Sequence, residues 1–544
     1  MIKRLSEKII SFRPSSSISS AALIISAAGI LSRVLGLLRD RILASHFGAG
    51  DTLDVYYAAF RVPDLVYNLL ILGALSAAFI PVFTGLIARN EEKEAWKLAD
   101  SLLNAALLAL LIISGIIVIF TPWIMRIITP GFSGEKLSQV VMLTRIMFLS
   151  PIFLGISGIF GGILNSLKRF LIYSLAPIMY NLGIIIGAVF FVPHWGIIGL
   201  AWGVVLGAML HMLIQYPAVR ISGFNYHFIL DFKNYHLQKV LKLMIPRTMG
   251  LAVTQVNLLI VTIIASTLAA GSLSIFNFAN NLQSFPLGIF AIPFALAVFP
   301  TLSHFAAKEE HGNFITSFSQ TFRQILFFVI PASILILVLR AQIVRVVLGA
   351  GKFDWEDTIL TFQALGIFAV SLFAQSLVPL LARSFYALHN TKVPFYTGLA
   401  SEAVNLVSAL VLSRFFGILG LVWAFSLANA VNMFLLLLVL RVKMKYLDDK
   451  KIIWTTLRIS ISALAAGLSA QLAKYVIQPY INLDTFLGVF SQMAFSGLVG
   501  ISIYLLFTRL FKLEEFYSIK NLFSSKLFRF RQTIPEDPTE ASGI

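Results

Sequence analysis

Four charges close the first long apolar run of the chain: Arg33, Arg39, Asp40 and Arg41 in LSRVLGLLRDR, residues 31–41. A second set follows, with Asp54, Arg61 and Asp64 gathered around Pro63. An ionised side chain in hydrocarbon is costly, so such groups face protein or water. On a helix, Arg33 and Asp40 share a face, while Arg39 points about 120° away from Arg33. Guanidinium groups held in this way suit an anionic headgroup. The plainer alternative has Arg39, Asp40 and Arg41 marking the outer membrane interface and Arg61 pairing with Asp64. Pro63 should kink its helix and free a backbone carbonyl, which is tolerable where helices line a cavity.

A second polar set is uncharged apart from one carboxylate. It comprises Gln255, Asn257, Asn277, Asn280, Asn281, Glu402 and Asn405. Glu402 and Asn405 are three apart and share a helical face. A carboxylate with amide oxygens beside it can hold Na⁺ or exchange a proton, and amides between spans also serve as packing hydrogen bonds. His211 reads as structural and Arg247 as an interfacial anchor. No P-loop, GxSxG, HExxH or metal-spaced histidine set occurs, so enzyme readings fare poorly and no cofactor is expected beyond a coupling ion, Na⁺ or H⁺.

These residues sit in an apolar chain. Of 544 residues, 58% are hydrophobic and 12% charged, with a mean hydropathy of +0.87. Apolar stretches long enough to cross a bilayer recur from Ser20 to Phe507, which predicts an all-α polytopic membrane protein with about fourteen transmembrane helices. The expected cores are 20–38, 54–86, 99–121, 139–165, 171–192, 196–219, 241–266, 273–303, 318–341, 358–388, 393–415, 417–441, 454–478 and 484–508. The net charge of +17 would suggest nucleic acid in a soluble domain. Here the basic residues fall in alternate loops, which marks cytoplasmic loops and places both termini inside, with no nucleic-acid partner. The chain has no cysteine, which rules out disulfides. LDDK, 447–450, reads as a solvated loop.

An internal repeat orders the spans. ASHFGAGDTLDVYYAAF from Ala44 resembles ASTLAAGSLSIFNFANN from Ala265, and GIIGLAWGVVLGAM from Gly196 resembles GILGLVWAFSLANA from Gly417. Both matches share an offset of about 221 positions and align Trp202 with Trp423. Two six-helix lobes of the same orientation are therefore expected, related by a pseudo-twofold along the membrane normal, with the substrate path between them and two further helices at the C-terminus. The expected boundaries are a cytoplasmic segment 1–19, an N-lobe 20–220, a linker 221–240, a C-lobe 241–442, a helix pair 443–511 and a partly disordered tail 512–544. The cationic patch belongs to one lobe, because Arg61 aligns with Leu282 and Asp54 with Ile275. That asymmetry favours an anionic substrate over a symmetric pore.

The stretches SRVLGLLRD, FGAGDTLDVYYAAFRVPDL, GALSAAFIPVF, AGKFDWEDT and RSFYALHNTKVPF, with the GILGLVWA repeat, resemble the MurJ/MviN family of lipid II flippases. That family lies within the multidrug/oligosaccharidyl-lipid/polysaccharide exporter superfamily. The resemblance implies alternating access in a bacterial plasma (inner) membrane and movement of lipid-linked peptidoglycan precursor from inner to outer leaflet. It implies a polyprenyl-tail groove at 443–511, a monomer, and cell-wall synthesis proteins as partners. It makes Arg33, Arg39, Asp40, Asp54, Arg61, Asp64 and Asn281 substrate-site residues, with Asp40 and Asp54 orienting the arginines. It makes Glu402, Asn405 and Asn257 the ion-coupling set. Three departures bear on the substrate: Tyr67 and Asn68 replace a family Arg-Arg pair, Leu72 beside Gly73 replaces a glutamate, and Asn281 replaces an arginine. Another polyprenyl-diphosphate-linked saccharide stays open as the cargo, as does an ion-coupled drug antiporter.

Overall fold

A computed structural model describes residues 18–72 and 78–518, with side chains from 27 onward except those of 72, 246, 247, 249–251, 253 and 254. The expectations for the N-terminal residues, Gly73, the side chains of Leu72 and Arg247, and the tail beyond 518 lie outside the described residues. Among the described residues every regular element is helical.

The first half runs α1 Ile18–Phe47, α2 Asp51–Tyr67, α3 Ile80–Ala88, α4 Glu92–Ile128, α5 Gly134–Met147 and α6 Leu149–Ser166. It continues with α7 Phe170–Ile186, α8 Val192–Trp195, α9 Ile197–Leu213 and α10 Tyr216–Ile221. The second half runs α11 Tyr235–Ser266, α12 Ser272–Pro286, α13 Ile292–Ala307, α14 His311–Val347 and α15 Trp355–Ala387. After α16 Lys392–Phe416 and α17 Ile418–Met444 come α18 Asp449–Ile477 and α19 Phe486–Leu510.

Eleven of the described helical stretches are long and apolar enough to cross a membrane. Three further expected spans, in α1, α2–α3 and α11, include residues outside those described, and all three carry charge: Arg33 to Arg41, Asp54 to Asp64, and Lys239, Lys242 and Arg247. Pro63 lies inside α2, and the helix widens into a π-turn at Asn68–Leu72. Such turns shed a backbone bond and tend to mark functional segments.

Some backbone features recur at a similar offset. Helices α4 and α14 are both 37 residues long and start 219 positions apart. The π-turns at Asn68–Leu72 and Leu287–Ala291 lie 219 positions apart, while the one at Gly187–Phe191 has no such counterpart among the described residues. Left-handed residues recur as Asn90 with Glu309, Lys168 with His389, and Gly196 with Gly417.

Contacts gather the described residues into two compact units, one from positions within 1–285, 347–368 and 395–428, the other from 286–346, 369–394 and 429–544. Within α12 the division falls at Phe285–Pro286, beside a π-turn at Leu287–Ala291. In the first unit, α7 and α9 pack backbone to backbone. A Cβ added at Gly183 would meet the main chain of Gly207. Small residues allow this approach, which matters in lipid because packing rather than water exclusion drives helices together. In the second unit Phe314, Phe318, Phe322 and Phe327 of α14 pack with Leu380, Phe385 and Tyr504 in one buried cluster. The Tyr504 hydroxyl donates to the Phe327 carbonyl at 2.6 Å, so the ring's polar end is satisfied inside an apolar core.

Gly183→Leu should lower the thermal midpoint of the purified protein, through an overpacking cost of about 1–3 kcal/mol. An unchanged midpoint would mean that the two backbones do not touch.

Candidate functional site

Polar residues of α12 fall at a 3–4–3 spacing: Ser274, Asn277, Asn281 and Ser284. That spacing lays them along one face of the helix. All belong to the first compact unit, and each meets a charged residue of the first half.

At the start of α12, Asp54 accepts from the Gly271 amide at 2.8 Å, the Ser274 amide at 2.9 Å and the Ser274 hydroxyl at 2.7 Å. The expectation for Asp54 is that it orients arginines and gates the cavity; in this structure its hydrogen-bond partners are backbone amides and a hydroxyl at the start of α12. The carboxylate satisfies the free amides at the start of a helix, where the macrodipole also favours negative charge. Its nearest cation is Lys136, at 3.8 Å, which also pairs with Asp51.

One turn on, Arg61 donates from Nη2 to Asn277 Oδ1 at 3.0 Å and from Nε to Thr262 Oγ1 of α11 at 2.8 Å. The pairing of Arg61 with Asp64 does not occur, since no ion pair joins them among the described residues. The long guanidinium reaches across to α11 and α12, leaving half-buried Asp64 behind on its own helix.

The next row joins α1. Asp40 accepts from Asn281 Nδ2 at 2.8 Å, and its other oxygen accepts from Arg39 Nε and Nη2 at 3.0 and 2.8 Å. Arg39 and Asp40 are neighbours whose backbone directions diverge, yet the arginine side chain folds back to its own aspartate. Arg39 Nη1 continues to Asn181 Oδ1 of α7 at 3.1 Å. Exposure separates the pair, with 22% of the Arg39 side chain accessible against 3% for Asp40. At the last row Arg33 donates to the Ser284 carbonyl at 3.3 Å.

The partners are mostly neutral. Arg33 and Arg61 are held by a carbonyl, an amide and a hydroxyl, so their positive charge is solvated without being cancelled. Interhelical hydrogen bonds in membranes average about 0.6 kcal/mol each. Four rows therefore bias this arrangement by a few kcal/mol and do not lock it. Asn181 and Thr262 were missed from sequence, although a lone amide in the apolar run MYNLG was a usable signal.

Beyond the start of α12 the same unit is sealed by backbone contacts between the two halves. The Lys352 amide donates to the Ser45 carbonyl at 2.8 Å, and the Ala49 amide to Asp357 at 2.8 Å. Gly271 and Gly351 hold φ of +85° and +59°, and a Cβ at either would strike the carbonyl of Ala49 or Ser45. Only glycine serves both demands.

The second polar set assembles separately. Asn257 Nδ2 donates to both Glu402 oxygens, at 2.9 and 2.8 Å. Asn257 Oδ1 and both amide atoms of Asn405 are buried without a hydrogen-bond partner. A carboxylate and two amide oxygens form a hard-oxygen set that fits Na⁺. Asn280 accepts from Gln283 Nε2 at 3.0 Å and stands apart. His211 meets Ser157, with Gln215 closing a buried structural network.

Asp54→Ala should loosen the α12 end of this unit. In the cysteine-free chain, a thiol placed by Ser272→Cys, at a position 2% exposed, should react slowly with a maleimide and at least several-fold faster once Asp54 is removed. Equal rates would show that the carboxylate holds nothing shut.

A family profile described as lipid II flippase MurJ matches residues 43–491. A probable lipid II flippase MurJ of Thermotoga maritima is 30% identical over 90% of this chain and 95% of its own length. The Vibrio cholerae protein of the same description is 30% identical over 81% and 86%. A solved lipid II flippase MurJ in an inward closed conformation superposes with a TM-score of 0.73 at 26% identity, covering 90% of this chain and 98% of its own. A multidrug MATE-family transporter of the MOP superfamily, at 15% identity, shares the fold alone, with a TM-score of 0.63 over 79% of this chain and 99% of its own. With a match spanning most of its length and its helices superposing on a solved member, this chain belongs to the MurJ family of lipid II flippases.

Proposed function

We propose that this protein carries lipid II across the bacterial inner membrane by alternating access, exchanging the α12 stripe for the substrate's diphosphate. One observation carries the reading beyond family membership: Arg33 and Arg61 are held by neutral acceptors along one helix face. A neutral acceptor keeps a guanidinium solvated while leaving its charge available to a phosphate. Charge-assisted bonds to phosphate are roughly twice as strong as neutral ones. When the stripe parts, Arg33, Arg39 and Arg61 engage the diphosphate, while Asp40 keeps Arg39 aimed.

Fourteen crossings in two related lobes are the architecture we infer. It is supported by the recurrent backbone geometry of the halves and by the charged helices α1, α2–α3 and α11, which complete the eleven apolar ones. The basic loops after every second span support cytoplasmic termini. The sealed contacts of Ser45, Ala49 and Asp54 lie, on that orientation, at the outer face, and the described state is closed there. The 443–511 helix pair is assigned to the polyprenyl tail on the family resemblance.

Tyr67, Asn68, Leu72 and Asn281 favour a second reading, in which another polyprenyl-diphosphate saccharide is carried. Each removes a charge that relatives use, and Asn281 is spent on Asp40.

Arg39→Ala should abolish rescue of a flippase-depleted strain and cut lipid II flipping in proteoliposomes at least tenfold, with membrane levels of the protein unchanged. Normal growth and flipping would refute the assignment, and flipping of a different lipid-linked saccharide alone would select the second reading. For the ion, Glu402 with Asn257 and Asn405 is taken as a Na⁺ site. Flipping should then rise with a sodium gradient in the parent and become indifferent to it in Glu402→Gln. Equal sodium dependence in both would remove the site from the mechanism.

A further inference from the structure

A recess of about 570 Å³ lies in the second unit, where α18 begins and α19 has just ended. Its lining holds five cations, Arg323, Lys450, Lys451, Arg458 and Lys512, against two acids, Asp448 and Glu514.

The acids are already engaged. Glu514 pairs with Lys451 at 2.9 Å and with Arg323 at 3.3 Å, and Arg323 also pairs with Glu515. The Lys451 ammonium holds the Glu514 carboxyl below the ordinary glutamate range. Asp448 accepts from the Ser319 hydroxyl at 2.7 Å and the Tyr446 hydroxyl at 3.0 Å. LDDK is a loop running into α18, as expected, but Leu447 is 1% exposed and Asp448, which takes a left-handed backbone at φ +60°, forms part of the recess lining. Among the described residues Lys450, Arg458 and Lys512 form no ion pair, and the buried Arg323 Nε has no acceptor.

Two features specify the occupant. Trp454 and Tyr446, about half exposed, sit in the lining as interfacial aromatics do at the headgroup level. From the same end, Ile453, Leu457, Ile461, Leu464, Leu468 and Leu472 run exposed along α18, at the spacing of one helix face. A soluble anion needs no such track, whereas acyl chains do. We propose that this recess binds the phosphate of an anionic phospholipid, with Lys450, Arg458 and Lys512 as its ligands and the exposed face of α18 carrying the chains. On the orientation inferred above this lipid lies in the inner leaflet, although the site is read from α14, α18 and α19 alone and does not depend on what is flipped.

The test is lipid binding to the full chain in neutral detergent, read by native mass spectrometry and by thermal midpoint, with no transport measured. Phosphatidylglycerol should bind and raise the midpoint, while phosphatidylcholine and inorganic phosphate should not. Each of Lys450→Gln, Arg458→Gln and Lys512→Gln should weaken phosphatidylglycerol binding roughly fivefold, from the usual worth of one basic residue at an anionic surface. Lys450→Arg and Lys512→Arg should keep binding, which separates charge from folding. Unchanged binding in the three Gln variants would overturn the proposal. So would an equal response to inorganic phosphate, or a response to lipid II with none to phosphatidylglycerol.

Discussion

A guanidinium inside a membrane protein must be hydrogen-bonded, and the nature of its partner decides whether it can be used. An acid partner offsets part of the charge and fixes its direction, as Asp40 does for Arg39. A neutral partner solvates the charge and surrenders it cheaply. In this chain one face of α12 supplies Asn277 and the Ser284 carbonyl as such neutral partners, and Thr262 of α11 adds a third. Asp40 and Asp54 are used differently. Each ties a first-half helix to α12, one through Asn281 and one through the free amides at the helix start. The two halves are thus joined by contacts strong in number and weak one by one, as a carrier that must open requires.

The same economy applies to Asn281, where the family resemblance implies an arginine: it meets Asp40 as a neutral donor. An arginine there would form a full ion pair with that aspartate and compete with Arg39 for it. The neutral residue leaves Asp40 able to serve both Arg39 and α12. Fewer fixed cations reduce the pull on a diphosphate, and the same change lowers the cost of parting the stripe.

Much of this was legible in the sequence. The charged residues of α1 and α2 stand out against an apolar background, and the all-helical, membrane-spanning class follows from the apolar runs. What could not be read were the partners. Ser274 and Thr262 are polar residues of a kind common in any span, and only their placement opposite Asp54 and Arg61 gives them meaning. Asp54 was assigned to the arginines because charge attracts attention to charge, whereas free backbone amides leave no mark in a sequence. LDDK reads as a loop and is one at 447–448, but its contact with Ser319, 129 positions earlier, leaves no local mark.

The central claim is that the α12 stripe holds the described state and that substrate replaces it. The direct measurement is the distance between spin labels attached through Ser45→Cys and Lys352→Cys, by pulsed electron resonance in nanodiscs. The account predicts a short distance in the parent, a shift toward longer distances on adding lipid II, and the same shift without lipid in Asn277→Leu with Asn281→Leu. A short, unmoved distance in the doubly substituted protein would contradict it.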